Sequence, residues 1–102
     1  MTKLGRYRVT VANPQVKKAF IVLPKGRQRA VARAMQNLAD DPRPEISKQL
    51  RPGESIYRII IGPDRFTYQV LDDELEVKVT KLKSSPFGGF LNLLLARWRS
   101  QR

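Results

Sequence analysis

The chain has 102 residues, 41% of them hydrophobic, which suits one domain built on one core. It carries 20 lysines and arginines against 9 aspartates and glutamates, a net charge of +11, with no cysteine and no histidine. Disulfides and thiolate metal sites are thereby excluded, and with histidine go the commonest metal ligand and the commonest general base near neutral pH.

A charge excess of that size repels itself in the folded state, and a polyanionic partner is the usual reason to tolerate it. Nucleic acid is the first candidate; an anionic membrane surface and an acidic protein are the others. Met1 to Arg8 lacks the apolar stretch of a signal peptide, and no run approaches the roughly 18 apolar residues of a membrane span. A cytoplasmic protein is expected, with no membrane partner and no cofactor.

Arg6 to Val11 alternates, Tyr7, Val9 and Val11 against Arg6, Arg8 and Thr10, the pattern of a half-buried strand. Asn13-Pro14 then supplies an N-cap and a proline at the first helical position. Val16, Ala19, Phe20 and Leu23 follow at helical spacing, and Pro24 and Gly26 close a short first helix. A second helix is expected from about Gly26 to Ala39, with Val31, Ala34, Met35 and Leu38 as its apolar stripe. Lys25, Arg29 and Arg33 fall four residues apart on the opposite face. Arg43 to Gly53, with Pro44 and Pro52, reads as a loop carrying Lys48 and Arg51.

Three strands come next. Ile56 to Ile61 is dense in β-branched residues and ends at the turn Gly62-Pro63-Asp64. Phe66 to Leu71 alternates Phe66, Tyr68 and Val70 with Thr67, Gln69 and Leu71. Asp72-Asp73-Glu74 makes a second tight turn before a last strand whose inner face holds Leu75, Val77 and Val79. Short turns make these three an antiparallel meander, and the first strand joins at the sheet edge. The expected fold class is α+β: two N-terminal helices on one face of a four-stranded, mainly antiparallel sheet. Residues 1–83 form this domain. Residues 84–102 are a C-terminal tail of the same domain, where Phe87, Phe90, Leu91, Leu94, Leu95 and Trp98 recur at the spacing of an amphipathic helix.

The polar side of the meander gathers candidate binding residues. Arg65, Gln69 and Lys78 face away from the helices if Phe66, Tyr68 and Val77 face them, and Lys81 and Lys83 lie at the end of that face. Arg58 is ambiguous, because both sides of its strand are apolar. Guanidinium and ammonium groups so placed suit a phosphate backbone. Lys25, Arg29 and Arg33 offer a second stripe. Singly, each of these cations is more often merely solvated; as a set on a +11 chain they make a binding surface. Tyr7, Tyr57 and Tyr68 are candidates for stacking on bases, although Tyr68 shares its face with Phe66 and Val70 and so suits the core.

The order strand, helix, helix, three strands, with the run Leu38-Ala39-Asp40-Asp41-Pro42-Arg43-Pro44, resembles the RelE/ParE superfamily of bacterial toxins. The stronger match is Ile56-Tyr57-Arg58-Ile59 followed by Asp64-Arg65-Phe66-Thr67-Tyr68-Gln69-Val70. The resemblance spans about Arg6 to Leu82. It implies the toxin of a type II toxin–antitoxin pair, neutralised by a small antitoxin protein. In the RelE-like branch, such toxins enter the ribosome and cut mRNA. Carried over by motif, Arg65 stabilises the charged transition state and Arg58 contacts phosphate; Lys81 and Lys83 are further catalytic candidates by charge alone. Lys25, Arg29, Arg33, Lys48, Arg51 and Lys78 become RNA-binding residues. The pattern departs after the last strand: the family's usual arginine and later tyrosine are replaced by Lys83-Ser84-Ser85-Pro86 and Phe87 to Leu91. The alternative is a ParE-like gyrase poison, or a non-catalytic basic RNA- or protein-binding relative.

Overall fold

The computed structural model describes residues 6–85. A first strand, β1 (Arg8–Val11), leads into helix α1 (Pro14–Ile21) and helix α2 (Lys25–Asn37). Strands β2 (Lys48–Gln49), β3 (Ile56–Ile61), β4 (Asp64–Leu71) and β5 (Glu76–Ser84) follow. The Asn13 side chain accepts a hydrogen bond from the Val16 amide at 3.2 Å, and Pro14 takes the first helical position, where its missing N–H costs nothing. α2 starts at Lys25, one residue before the expected Gly26, because Pro24 stands at its N-cap. It ends at Asn37, ahead of the expected Ala39.

The sheet has five strands in the order β1-β5-β4-β3-β2. β2 to β5 pair antiparallel, and β1 runs parallel to β5 at the edge, so the sheet is mixed. The expectation of four strands is corrected by β2. It has only two residues, both polar, inside a proline-bounded loop, too short to show any periodicity; its pairing with Tyr57 and Arg58 creates it. The expected helix over residues 87–98 lies outside the described residues. β4 begins two residues before the expected Phe66, because Gly62 and Pro63 alone make the hairpin and Ile61 pairs with Asp64. Gly62 has φ +60, and proline holds its own φ negative, the sign pattern of a type II′ hairpin turn.

α1 and α2 cover one face of the sheet. Val16, Leu23, Val31 and Leu38 meet Ile59, Phe66, Tyr68, Val70, Val77, Val79 and Leu82 in one buried cluster. Fully burying an aliphatic or aromatic side chain is worth about 1.5–3 kcal/mol, so this cluster fixes which face of each strand points inward. Leu75 departs from expectation: it lies outside β5, 42% exposed, in a left-handed conformation that ends the single 3-10 turn Asp72–Glu74. A register shift between Thr67 and Tyr68 leaves Thr80 as an extra residue in β5, so Val79 and Leu82 both point to the core.

Candidate nucleic-acid interface

The face of the sheet away from the helices is set by register. Lys48 stands opposite Arg58, Arg58 opposite Thr67, and Thr67 opposite Lys81, giving one row across four strands. The next row is Ile60, Arg65 and Lys83; on the other side lie Ile56, Gln69 and Lys78. Directly opposed residues share a face and successive residues alternate, so all of these project outward. The ambiguity over Arg58 is thereby resolved. Its neighbours Tyr57 and Ile59 take the core side.

Among the described residues, Arg58, Arg65, Lys78, Lys81 and Lys83 enter no ion pair. The carboxylate that competes for them, Glu76, is engaged by Arg8 at 3.9 Å and by the Thr10 hydroxyl at 3.0 Å. Among the described residues the buried Nε of Arg58 finds no hydrogen-bond partner. The chemistry on offer is stabilisation of negative charge by guanidinium, with lysine amines as the remaining proton-carrying groups.

The Arg65–Lys83 end is fixed from beneath. Asp64 is 1% exposed and accepts two bonds from Arg27 of α2, Nε at 2.9 Å and an Nη at 2.6 Å. Ser84 donates to the same carboxylate at 2.6 Å. The Arg27 bonds hold the Asp64 carboxyl below its ordinary range against the opposing push of burial, and Ser84 adds to the lowering. At the centre of β5, Asn13 donates to the Thr80 carbonyl at 3.1 Å, and the Thr80 hydroxyl donates to the Thr67 carbonyl at 3.2 Å. These bonds pin the bulge one residue from Lys81.

The opposite end of the sheet is self-satisfied. Asp72 accepts two bonds from Arg43, at 2.6 and 3.2 Å, and one from the Tyr7 hydroxyl at 2.6 Å. Arg43 also donates to the Tyr57 hydroxyl at 2.9 Å. The Arg43 bonds, then Tyr7, draw the Asp72 carboxyl down, and the bond to Asp72 pushes the Tyr7 phenol up. Tyr57 stacks on Tyr68 with ring centroids 5.8 Å apart. Burial raises the Tyr68 phenol to about 12, and its hydroxyl donates to the Pro42 carbonyl at 2.8 Å. The three tyrosines considered for base stacking thus serve this end and the core.

Of the expected site residues, the structure brings Arg58, Arg65, Lys78, Lys81 and Lys83 onto one face and adds Lys48 to it through β2. Lys25, Arg29 and Arg33 are exposed on α2, in the helix layer behind the sheet. Arg51 lies in the β2–β3 loop beside Glu54, at 3.8 Å. Sequence reasoning passed over Arg8, which joins the face through β1, and the Arg27–Asp64 pair. An aspartate after Gly-Pro looks like turn chemistry, and nothing in the sequence links it to an arginine 37 residues earlier. No helix among the described residues is long and apolar enough to cross a membrane.

No family model matches the sequence, and no curated protein sequence matches it. Solved structures do. A chain of the archaeal RelE–RelB complex from Pyrococcus horikoshii is 30% identical, with 78% of this chain and 94% of that one covered at a TM-score of 0.67. The isolated Escherichia coli RelE toxin is 18% identical, with coverage of 89% and 97% and a TM-score of 0.69. A chain of a RelBE toxin–antitoxin complex from Mycobacterium tuberculosis is 21% identical, with 83% and 98% covered at 0.65. The last two likenesses are in fold; the first joins fold to sequence over nearly the whole of the archaeal chain. On that ground the chain belongs to the RelE family of toxins.

Proposed function

We propose that this protein arrests translation by cutting mRNA on the ribosome, acts in the cytoplasm, and is held in check by a small antitoxin protein. The observation that carries the reading is the outer sheet face. Arg58, Arg65, Lys78, Lys81 and Lys83 gather there without a carboxylate partner among the described residues. Polyanion binding is what such an arrangement does well.

In this reading Arg65 stabilises the charge that develops on the scissile phosphate, and Arg58 holds a phosphate beside it. Lys81 and Lys83 carry the charge that the family usually takes from an arginine after the last strand. The fully buried Tyr68 keeps its proton, so proton transfer falls to a lysine amine or to groups supplied by the ribosome. Lys48 and Lys78 extend the footprint on the sheet. Lys25, Arg29, Arg33 and Arg51 are placed to hold ribosomal RNA from the flanks.

The deciding experiment is induced expression in bacteria with primer extension on a translated message. Cuts at codon positions that vanish when translation is blocked support the nuclease. Growth arrest without cuts would replace it with a gyrase poison or a non-catalytic binder, which a supercoiling assay with purified gyrase then separates.

A further inference from the structure

On the outer face of β3, Ile60 is 60% exposed. A single exposed aliphatic side chain is ordinary on a protein surface. This one differs in its surroundings. Arg65 stands directly across from it, Lys83 lies beyond Arg65, and Arg58 sits two residues back on the same face. β2 pairs only with Tyr57 and Arg58, so among the described residues no strand flanks β3 beside Ile60. Among the described residues, the isoleucine is an apolar spot at an open edge, bordered by cations that enter no ion pair.

Those cations suit the phosphates of a nucleic acid strand, while the aliphatic side chain they border suits the face of a base. We propose that Ile60 is the nucleobase contact of this surface: an unstacked base of single-stranded RNA lies on its side chain while Arg58 and Arg65 hold the adjoining phosphates. The inference rests on the RNA-binding reading above. The spacing suits it, since two residues along a strand cover about 7 Å and one strand across about 5 Å, so both guanidiniums reach the backbone of a base seated on Ile60. Every base has an apolar face, so an aliphatic platform grips purines and pyrimidines alike and reads ring area rather than hydrogen-bond pattern.

The test uses the whole protein and two labelled single-stranded RNAs of ~12 nucleotides, one intact and one with abasic sugars at its centre, with affinity read by anisotropy at low salt. Ile60→Thr keeps the β-branch and removes most of the apolar surface, and at this exposure the fold is retained. Wild type is expected to prefer the intact strand about fivefold, roughly what burying one CH₂ group's worth of apolar surface contributes. Ile60→Thr should bind both strands alike, at the wild-type affinity for the abasic one. Arg65→Ala should weaken both strands by the same factor. If Ile60→Thr keeps the wild-type preference, the base contact is wrong and the phosphate surface stands. If wild type and Arg65→Ala bind each strand equally, the RNA-binding reading falls and takes this inference with it.

Discussion

Arg27 on α2 and Asp64 at the start of β4 meet through two bonds of 2.9 and 2.6 Å, one residue from Arg65. On the outer side of the sheet Arg65 faces Lys83 directly, and like charges so opposed are destabilising. On the inner side of the adjoining rung, Asp64 faces Ser84 and takes its hydroxyl bond at 2.6 Å. The cost of bringing two cations together is thus carried where a buried anion ties both strands to a helix. Removing that anion leaves Arg27 without its partner and the outer pair without its anchor.

Asp64→Asn is therefore expected to destabilise the fold by about 2–3 kcal/mol. That is below the usual cost of breaking a buried pair, because Arg27 keeps 34% of its side chain in water. For a domain of this size the midpoint of thermal unfolding should fall by about 10 °C. The carboxyl is held below its ordinary value of 3.8 in the folded state, so its contribution is complete above that value and is lost as pH falls through the folded one. Unfolding scans of wild type and Asp64→Asn should differ most near neutral pH and converge in strong acid. A difference that persists unchanged at low pH would show that the charge is not what matters.

Arg65→Ala should abolish growth arrest on induction while leaving the fold intact, since its side chain is exposed and enters no ion pair among the described residues. Removing one group that stabilises transition-state charge lowers a rate by about 100- to 1,000-fold. Primer extension on a translated message should show the cuts gone, with a circular dichroism spectrum like the wild type. Full toxicity in this variant would remove Arg65 from the site.

The outer face was legible in part. Alternation of Phe66, Tyr68 and Val70 assigns Arg65, Thr67 and Gln69 to the open side, because a strand with one apolar row has one solution. Ile56 to Ile61 has two apolar rows, so Arg58 and Ile60 were placed only by pairing with Thr67 and Arg65. β2 carries no periodic signal at all. The bulge at Thr80 was invisible too: one inserted residue shifts the phase, so that Lys81 and Lys83 join Lys78 on one face. Asp64 shows the same limit. Its partner is distant in sequence, and a Gly-Pro-Asp turn accounts for it locally.

Asn13 serves α1 and the sheet at once. Its carboxamide oxygen caps the helix through the Val16 amide, and its NH₂ group donates to the Thr80 carbonyl. Asn13→Ala should cost about 1–2 kcal/mol, a cap plus one further hydrogen bond. Asn13→Asp keeps the cap oxygen but cannot donate to Thr80, so chemical denaturation should place it between the two. An Asp variant as unstable as the Ala variant would show that the bond to Thr80 carries the whole effect.

Cations that hold phosphate reveal themselves by salt. For a single strand, the logarithm of affinity falls against the logarithm of salt with a slope of about −0.7 per phosphate neutralised. Arg58→Ala and Lys81→Ala, from the central row, should each flatten that slope by about 0.7 and weaken RNA binding similarly across sequences. Arg43→Ala supplies the contrast. Its guanidinium is committed to Asp72 and Tyr57 at the other end of the sheet, so the slope should not change although the protein loses the same formal charge. Titrations of one RNA at several salt concentrations separate the cases. If Arg43→Ala flattens the slope as much as Arg58→Ala, the protein is reading out net charge alone, and the outer face is not the footprint.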